Sequence, residues 1–136
     1  MSVSHTFFLP VKPNAAQRTR ASCRGRFPQV HLDPKYRAWR GEAERALLNV
    51  AATEDFRPWR KCPVRIDVEA IFPRPKTTKL AAPRADNDNI EKGLWDAITC
   101  TGKWWADDSQ IIVNRTEKRW ARPGEEPGYL ITIEFL

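Results

Sequence analysis

The chain has 136 residues, of which 41% are hydrophobic and 29% charged, a composition typical of one globular domain over residues 1–136. No apolar run approaches the ~20 residues of a membrane helix, and the N-terminus lacks the charged start of a secretory signal. Three widely spaced cysteines argue against a disulfide framework and fit a reducing compartment. These features predict a cytoplasmic protein with no membrane partner.

The net charge is +6, and the positive excess lies in the first half of the chain. Residues 1–60 contain 11 Lys/Arg and 5 Asp/Glu, whereas residues 61–136 contain 12 of each. An uneven basic charge of this kind indicates a polyanionic partner such as a nucleic acid, although it also favours solubility.

The first half of the sequence predicts strands and one long helix. Pro10 places the first strand near an edge or an end of a sheet. Asp33 and Pro34 are typical of a helix start, and apolar residues then recur at three- and four-residue spacing. The predicted elements are a strand over 5–11, a basic loop over 12–27, a short strand over 27–32 and a helix over 34–53.

The second half predicts a sheet strand, a second helix and two closing strands. Residues 64–72 alternate apolar and charged side chains, which is typical of a strand with one wet face in an antiparallel sheet. A basic loop, 73–85, leads to a helix that begins at Asp88 or Asn89 and is ended by Gly102. The closing strands are predicted over 110–120 and 128–136.

Carboxylates are concentrated in one part of this basic chain. Asp86 and Asp88 stand at the predicted helix entrance, Asp88 and Lys92 share one helical face, and Asp96 extends it. Asp107 and Asp108 precede the following strand, which is expected to lie near the helix. The sequence therefore predicts that five carboxylates converge. Mg²⁺ prefers oxygen ligands and needs few from the protein, since water and substrate phosphates complete its shell.

Structural explanations of the same residues stay open at this stage. Asp86 and Asp88 could cap the helix and favour its positive end. Asp88 and Lys92 could form a surface pair, and Trp104 and Trp105 are more easily explained by core or dimer packing than by base stacking. An EF-hand is excluded because Glu91 occupies the position of the required glycine.

The run RADNDNIEKGLWDAI, followed by WWADDSQI and then Lys118, resembles the signature of RusA-type Holliday junction resolvases. The resemblance implies an α+β fold, with a small mixed sheet covered by two main helices. It also implies a homodimeric endonuclease that uses Mg²⁺ or Mn²⁺ to nick four-way DNA junctions symmetrically, in recombination, repair or prophage DNA processing. Ile98 stands where the family usually has Leu.

The resemblance assigns roles to particular residues. Asp86, Asp88 and Asp108 are the expected catalytic acids and metal ligands, Asp107 is a further expected metal ligand, and Lys92 is the motif lysine. Phosphate contacts are expected from the basic side chains of Arg18, Arg20, Arg24, Lys76, Arg84 and Lys118.

A dimer is also expected from the symmetry of the substrate. A four-way junction has two-fold symmetry, so two matched nicks need two symmetry-related sites. On apolar content, the expected dimer surface is the helix that carries Leu94, Trp95 and Ile98, with the adjacent Trp104 and Trp105.

Two alternatives to a junction resolvase remain at this stage. One is a basic architectural DNA-binding protein without catalysis, which would need the basic residues but not the acids. The other is a nuclease for other branched nucleic acids, which would share the site and differ in the shape of its substrate.

Overall fold

The protein is described here by a computed structural model covering residues 3–14, 20–24, 27–31, 33–53 and 61–136, with the 20–24 and 27–31 segments described by their backbone alone. Its elements, in chain order, are β1 (Val3–Leu9), β2 (Arg20–Arg24), β3 (Phe27–His31), α1 (Pro34–Thr53), β4 (Val64–Phe72), α2 (Asn87–Thr101), a 3₁₀ helix (Asp108–Gln110), β5 (Ile111–Trp120) and β6 (Gly128–Phe135). Within these ranges, no helix is both long enough and apolar enough to cross a bilayer.

Four strands form one mixed sheet in the order β1-β6-β4-β5. β4 pairs antiparallel with β6 and parallel with β5, while β1 pairs antiparallel with β6. β2 and β3 form a separate antiparallel pair. The expected α+β fold with a small mixed sheet and two main helices is confirmed. The alternation over 64–72, which is typical of antiparallel sheets, agrees with the pairing of β4 with β6 but not with its pairing with β5, which runs parallel to it.

The core lies between one face of this sheet and the two helices. Alternation along β4 turns Val64, Ile66, Val68 and Ala70 inward, and all four are buried. From α2, the inward residues are those that the spacing predicts, namely Ile90, Leu94, Ala97 and Ile98, all of them fully buried. Burial of this kind stabilises a fold by about 25 cal/mol for each Å² of apolar surface removed from water.

The tryptophans after α2 belong to this core. Trp104 and Trp105 are each 1% exposed, and the Trp105 ring packs edge-on against Trp95 at a centroid distance of 6.5 Å. Leu94 and Ile98 are likewise buried within the chain. The expectation that this apolar group forms the dimer surface is therefore wrong, because its side chains are already covered by the chain's own sheet.

Most predicted boundaries agree with the structure to within a few residues. The helix over 34–53 and the strand over 64–72 are confirmed, and the Asp33 carboxylate accepts a hydrogen bond from the Lys35 backbone N–H at 3.1 Å. The exception is β2, which lies inside the segment 12–27 that was expected to be a loop.

Candidate functional site

The β4–α2–β5 unit determines where the acidic residues lie. Because β4 and β5 are parallel, the chain must return to the start of the sheet between them, and α2 makes this return. α2 therefore runs opposite to β5, so its first turn lies beside the later residues of β5.

Two hydrogen bonds fix this position. The Lys118 ammonium donates to the carbonyl oxygen of Ala85 at 2.7 Å, and the Asn87 amide donates to the Thr116 carbonyl oxygen at 3.3 Å. Lys118 is half-buried, and Ala85 directly precedes Asp86. The predicted phosphate-binding Lys118 and the first acidic pair, Asp86 and Asp88, are thus neighbours, although they are about thirty positions apart in the sequence.

Asp86 occupies the N-cap position of α2, but its carboxylate does not cap the helix. Its backbone carbonyl accepts the hydrogen bond from the Ile90 N–H at 3.0 Å, whereas its side chain makes no capping hydrogen bond. Asp86 and Asp88 are both exposed. Both lie at the positive end of the helix, where negative charge is favoured. Side-chain capping, one of the structural explanations of Asp86, is thus not what the structure shows.

The two residues of the second acidic pair, Asp107 and Asp108, make different contacts. Asp107 caps the 3₁₀ helix: its carboxylate accepts from the Gln110 backbone and, at 2.6 Å, from the Ser109 hydroxyl, while the Gln110 side chain accepts from the Asp107 N–H. The Ser109 hydrogen bond lowers the pKa of Asp107 below its ordinary value. Asp108 is half-exposed and is the first residue of the 3₁₀ helix rather than its N-cap, although its side chain also contributes to the lowered pKa of Asp107. The structure therefore gives Asp107 a structural role that Asp108 lacks.

The two acidic pairs lie at opposite ends of α2. The Trp105 indole N–H donates to the Thr99 hydroxyl at 2.7 Å, which keeps the segment before Asp107 beside the end of the helix. Since α2 has 15 residues, its ends are separated by about 20 Å. Among the described residues, which include all four aspartates, no group of three or more Asp, Glu, His or Cys could hold a metal ion. The predicted convergence of the carboxylates within one chain is therefore wrong. The helix and the strand are neighbours, as predicted, but they run in opposite directions, so the acidic pairs at the start of each of them lie at opposite ends of α2.

Lys92 lies one turn after Asp88 and pairs with Asp96. Its ammonium is 3.2 Å from the Asp96 carboxylate, and its side chain is 65% exposed. An ion pair this exposed contributes roughly 0.5 kcal/mol, so an incoming phosphate can replace it at little cost. The role of Lys92 stays a prediction.

The other predicted phosphate contacts are distributed around the chain. Arg84 and Lys76 are exposed on the segment between β4 and α2, on the side of the first acidic pair. Arg20 and Arg24 lie on β2, where only the backbone is described, and Arg18 lies outside the described residues.

Sequence reasoning missed several residues of this region. The Trp120 indole N–H donates to the Leu80 carbonyl oxygen at 2.9 Å and holds the basic 73–85 segment against β5. The Thr116 hydroxyl oxygen is buried without a hydrogen-bond partner. Polar residues at alternate positions of β5, Asn114, Thr116 and Lys118, are the signal that could have indicated a polar site on this side of the strand.

We expect the substitution Asp107→Ala to lower the urea midpoint of unfolding, and Asp108→Ala to leave it nearly unchanged. Because the pKa of Asp107 is lower in the folded state, its stabilisation is present at neutral pH, begins to fall near the ordinary aspartate value of about 3.9, and is lost as the pH drops through the lowered pKa. Urea unfolding at pH 7 and in acid measures this. Equal midpoints for Asp107→Ala and the unsubstituted protein at pH 7 would show that the cap is dispensable.

Comparison with known proteins identifies the family. A search of curated proteins finds no match to the chain. The family model of endodeoxyribonuclease RusA, however, matches residues 10–134 of the 136. The match includes both acidic pairs, Lys92 and Lys118, and it confirms the resemblance drawn from the sequence. The chain belongs to the RusA family of endodeoxyribonucleases.

Proposed function

We propose that the protein is a Mg²⁺- or Mn²⁺-dependent endodeoxyribonuclease that resolves four-way DNA junctions as a homodimer, by paired symmetric nicks. Membership in the RusA family supports the coarser activity, cleavage of DNA at Holliday junctions. The observation that carries the finer proposal is the pair of exposed carboxylates at the start of α2, beside the Lys118 ammonium, in a chain of net charge +6.

The donor set fits a hard divalent cation. Asp86 and Asp88 offer carboxylate oxygens at the protein surface, where water and substrate phosphates can supply the remaining ligands. When bound, the cation stabilises the negative charge that develops on the phosphate oxygens. Lys92, one turn further along α2, is placed to exchange Asp96 for the scissile phosphate. Lys118 positions the backbone just before Asp86 and adds positive charge beside it.

Asp108 can join this group only if it comes from a second chain. Within one chain, Asp108 lies at the far end of α2 from Asp86 and Asp88, about 20 Å away. A two-fold axis across the middle of this unit would bring the beginning of one β5 to the end of the other. Each of two sites would then contain Asp86 and Asp88 from one chain and Asp108 from its partner, with Asp107 supporting Asp108 through the 3₁₀ helix.

β5 has the properties of a strand that pairs with its own copy. It is an edge strand of the sheet, and Ile112 and Val113 are 63% and 44% exposed. An exposed apolar edge strand is a template for pairing with another chain. Antiparallel pairing centred near Val113 would cover both side chains, with Val113 against its own copy and Ile112 beside the partner's Asn114. In that arrangement the 3₁₀ helix that carries Asp108, directly before β5, would lie near the later part of the partner's β5, the part that holds Lys118.

Two such sites match the two-fold symmetry of a four-way junction. The proposed phosphate contacts are Lys76, Arg84 and Lys118 around the first acidic pair and Arg18, Arg20 and Arg24 in the basic first part of the chain. Contacts of this kind position the strands without reading much sequence, and they weaken steeply with salt because each neutralised phosphate releases counterions.

We expect Asp88→Asn to bind a labelled four-way junction as well as the unsubstituted protein and to lose Mg²⁺-dependent nicking. The substitution removes a charged ligand while it keeps the shape and exposure of the side chain. Gel-shift binding and denaturing-gel cleavage, each with Mg²⁺ and with EDTA, measure the two effects. Glu91→Gln, a neighbouring acid outside the proposed site, is the matched control and should nick normally.

Nicking by Asp88→Asn at the unsubstituted rate would contradict the assignment of that carboxylate. Junction binding without cleavage by the unsubstituted protein in Mg²⁺ and in Mn²⁺ would favour an architectural DNA-binding protein. Faster cleavage of other branched DNA or of RNA would change the proposed substrate and leave the proposed site in place.

We expect Ile112→Lys to convert a dimer to a monomer and to abolish nicking, because it places a charge at the centre of the proposed strand pairing. The residue is mostly exposed, so the monomer should stay folded. Sedimentation, circular dichroism and junction cleavage measure the outcome. Leu48→Lys on α1, also an exposed apolar position, should remain dimeric and active. A dimeric, active Ile112→Lys protein would exclude the β5 edge as the interface.

A further inference from the structure

A groove lies at the end of the sheet where β4 and β5 finish. It has a volume of about 570 Å³, within the range of sites that bind organic ligands. It is formed by the segment that leaves β4 and by the turn between β5 and β6. Its lining includes three basic residues, Arg74, Lys76 and Arg122, and an apolar wall of Trp120 with four prolines, Pro73, Pro75, Pro123 and Pro127.

The charge of this groove is positive and largely uncompensated. Arg74, Lys76 and Arg122 are exposed. Glu125 also lines the groove, but its carboxylate accepts two hydrogen bonds from the Arg119 guanidinium at 2.6 and 2.7 Å and one from the Arg122 backbone N–H at 2.9 Å. These contacts lower the pKa of Glu125 to about 2, and they pair its negative charge with the Arg119 guanidinium. The groove therefore presents its three cations to solvent.

Trp120 gives the groove a fixed aromatic surface. Its indole N–H donates to the Leu80 carbonyl oxygen at 2.9 Å, so the ring is held in one orientation while part of the residue remains accessible. An aromatic ring next to cations is the combination by which proteins hold unpaired nucleotides, with the base on the ring and the phosphates on the basic side chains.

The groove is continuous with the proposed active site. Trp120 follows Lys118 by two positions on β5, so the two side chains point to the same side of the strand. The segment that begins at the groove with Pro73 and Arg74 passes Leu80 at Trp120 and reaches Ala85 at Lys118, directly before Asp86. A DNA strand held at Asp86 and Asp88 would therefore have this groove beside it.

We propose that the groove binds one unpaired nucleotide of the DNA strand at the branch point, with its base against Trp120 and its flanking phosphates on Arg74, Lys76 and Arg122. This inference rests on the proposed function and adds a preference to it: the enzyme selects junctions in which a base next to the cleavage site is out of its pair. The exposed cations favour a nucleic acid over a proline-rich peptide for the same apolar wall.

Binding to two four-way junctions tests the proposal, one fully paired and one with an unpaired 2-aminopurine at the branch point, both in EDTA to prevent cleavage. The unsubstituted protein should bind the second junction about tenfold more tightly, as expected for one stacked base. Trp120→Leu should lose this preference and Trp120→Phe should keep it. The double variant Arg74→Ala/Arg122→Ala should weaken binding of both junctions and reduce the salt slope by about two.

The control is Arg37→Ala/Arg45→Ala, which removes the same charge from exposed positions of α1 and should bind both junctions more tightly than the groove variant. Equal affinity of the unsubstituted protein for both junctions, or a preference that survives in Trp120→Leu, would overturn the proposal. So would equal binding by the groove and control variants, which remains decisive if Trp120→Leu fails to fold. Nicking of the paired junction by the unsubstituted protein in Mg²⁺ tests the proposed function separately.

Discussion

The hydrogen bond from the Lys118 ammonium to the Ala85 carbonyl oxygen joins the end of β5 to the residue just before the first acidic pair. With the bond from Asn87 to Thr116, it fixes the start of α2 against the later part of β5. Because α2 returns the chain between two parallel strands, the segment that follows the helix and leads into β5 lies at the opposite end of the sheet from the start of α2. The separation of Asp86 and Asp88 from Asp107 and Asp108 follows directly from this arrangement.

The carboxylates differ in the contacts that they make within the chain. Asp107 caps the 3₁₀ helix, and Asp96 pairs with Lys92, whereas the Asp86 side chain makes no capping bond and Asp108 is not the capping residue. Acidic side chains that do not cap a helix, at the surface of a basic protein, are well suited to a ligand that brings its own positive charge. The arrangement of these carboxylates therefore agrees with the proposed divalent cation and with the proposal that a partner chain supplies Asp108.

Local features were predictable from the sequence, and relations between distant elements were not. Asp33-Pro34 and the apolar spacing gave α1 its bounds, and strict alternation gave β4 its bounds, because both signals depend on neighbouring residues. Alternation reports which side of a strand is wet but not the direction of its neighbour, so the parallel pairing with β5 was missed. Apolar content likewise does not separate a core from an interface, which is why Trp104 and Trp105 suggested a dimer surface.

At the candidate site, too, the residue types were predictable from the sequence but their positions relative to one another were not. The family signature and the residue types at 86–108 identified the candidate acids, and the RusA family match supports that identification without testing each role. Their distribution over two ends of a helix depends on the path of the chain around the sheet. The groove beside Trp120 was also invisible in the sequence, because Arg74 and Arg122 come from segments that meet only through β4 and β5.

Complementation between two inactive variants tests the shared site most directly. Chains carrying Asp88→Asn and chains carrying Asp108→Asn are co-expressed with different affinity tags, and the mixed dimer is purified and assayed on a four-way junction in Mg²⁺. If each site combines Asp86 and Asp88 of one chain with Asp108 of the other, the mixed dimer has one intact site and nicks a single strand, while each variant alone is inactive. A mixed dimer that forms and does not nick would contradict the account, since every site would then contain one substituted acid from a single chain.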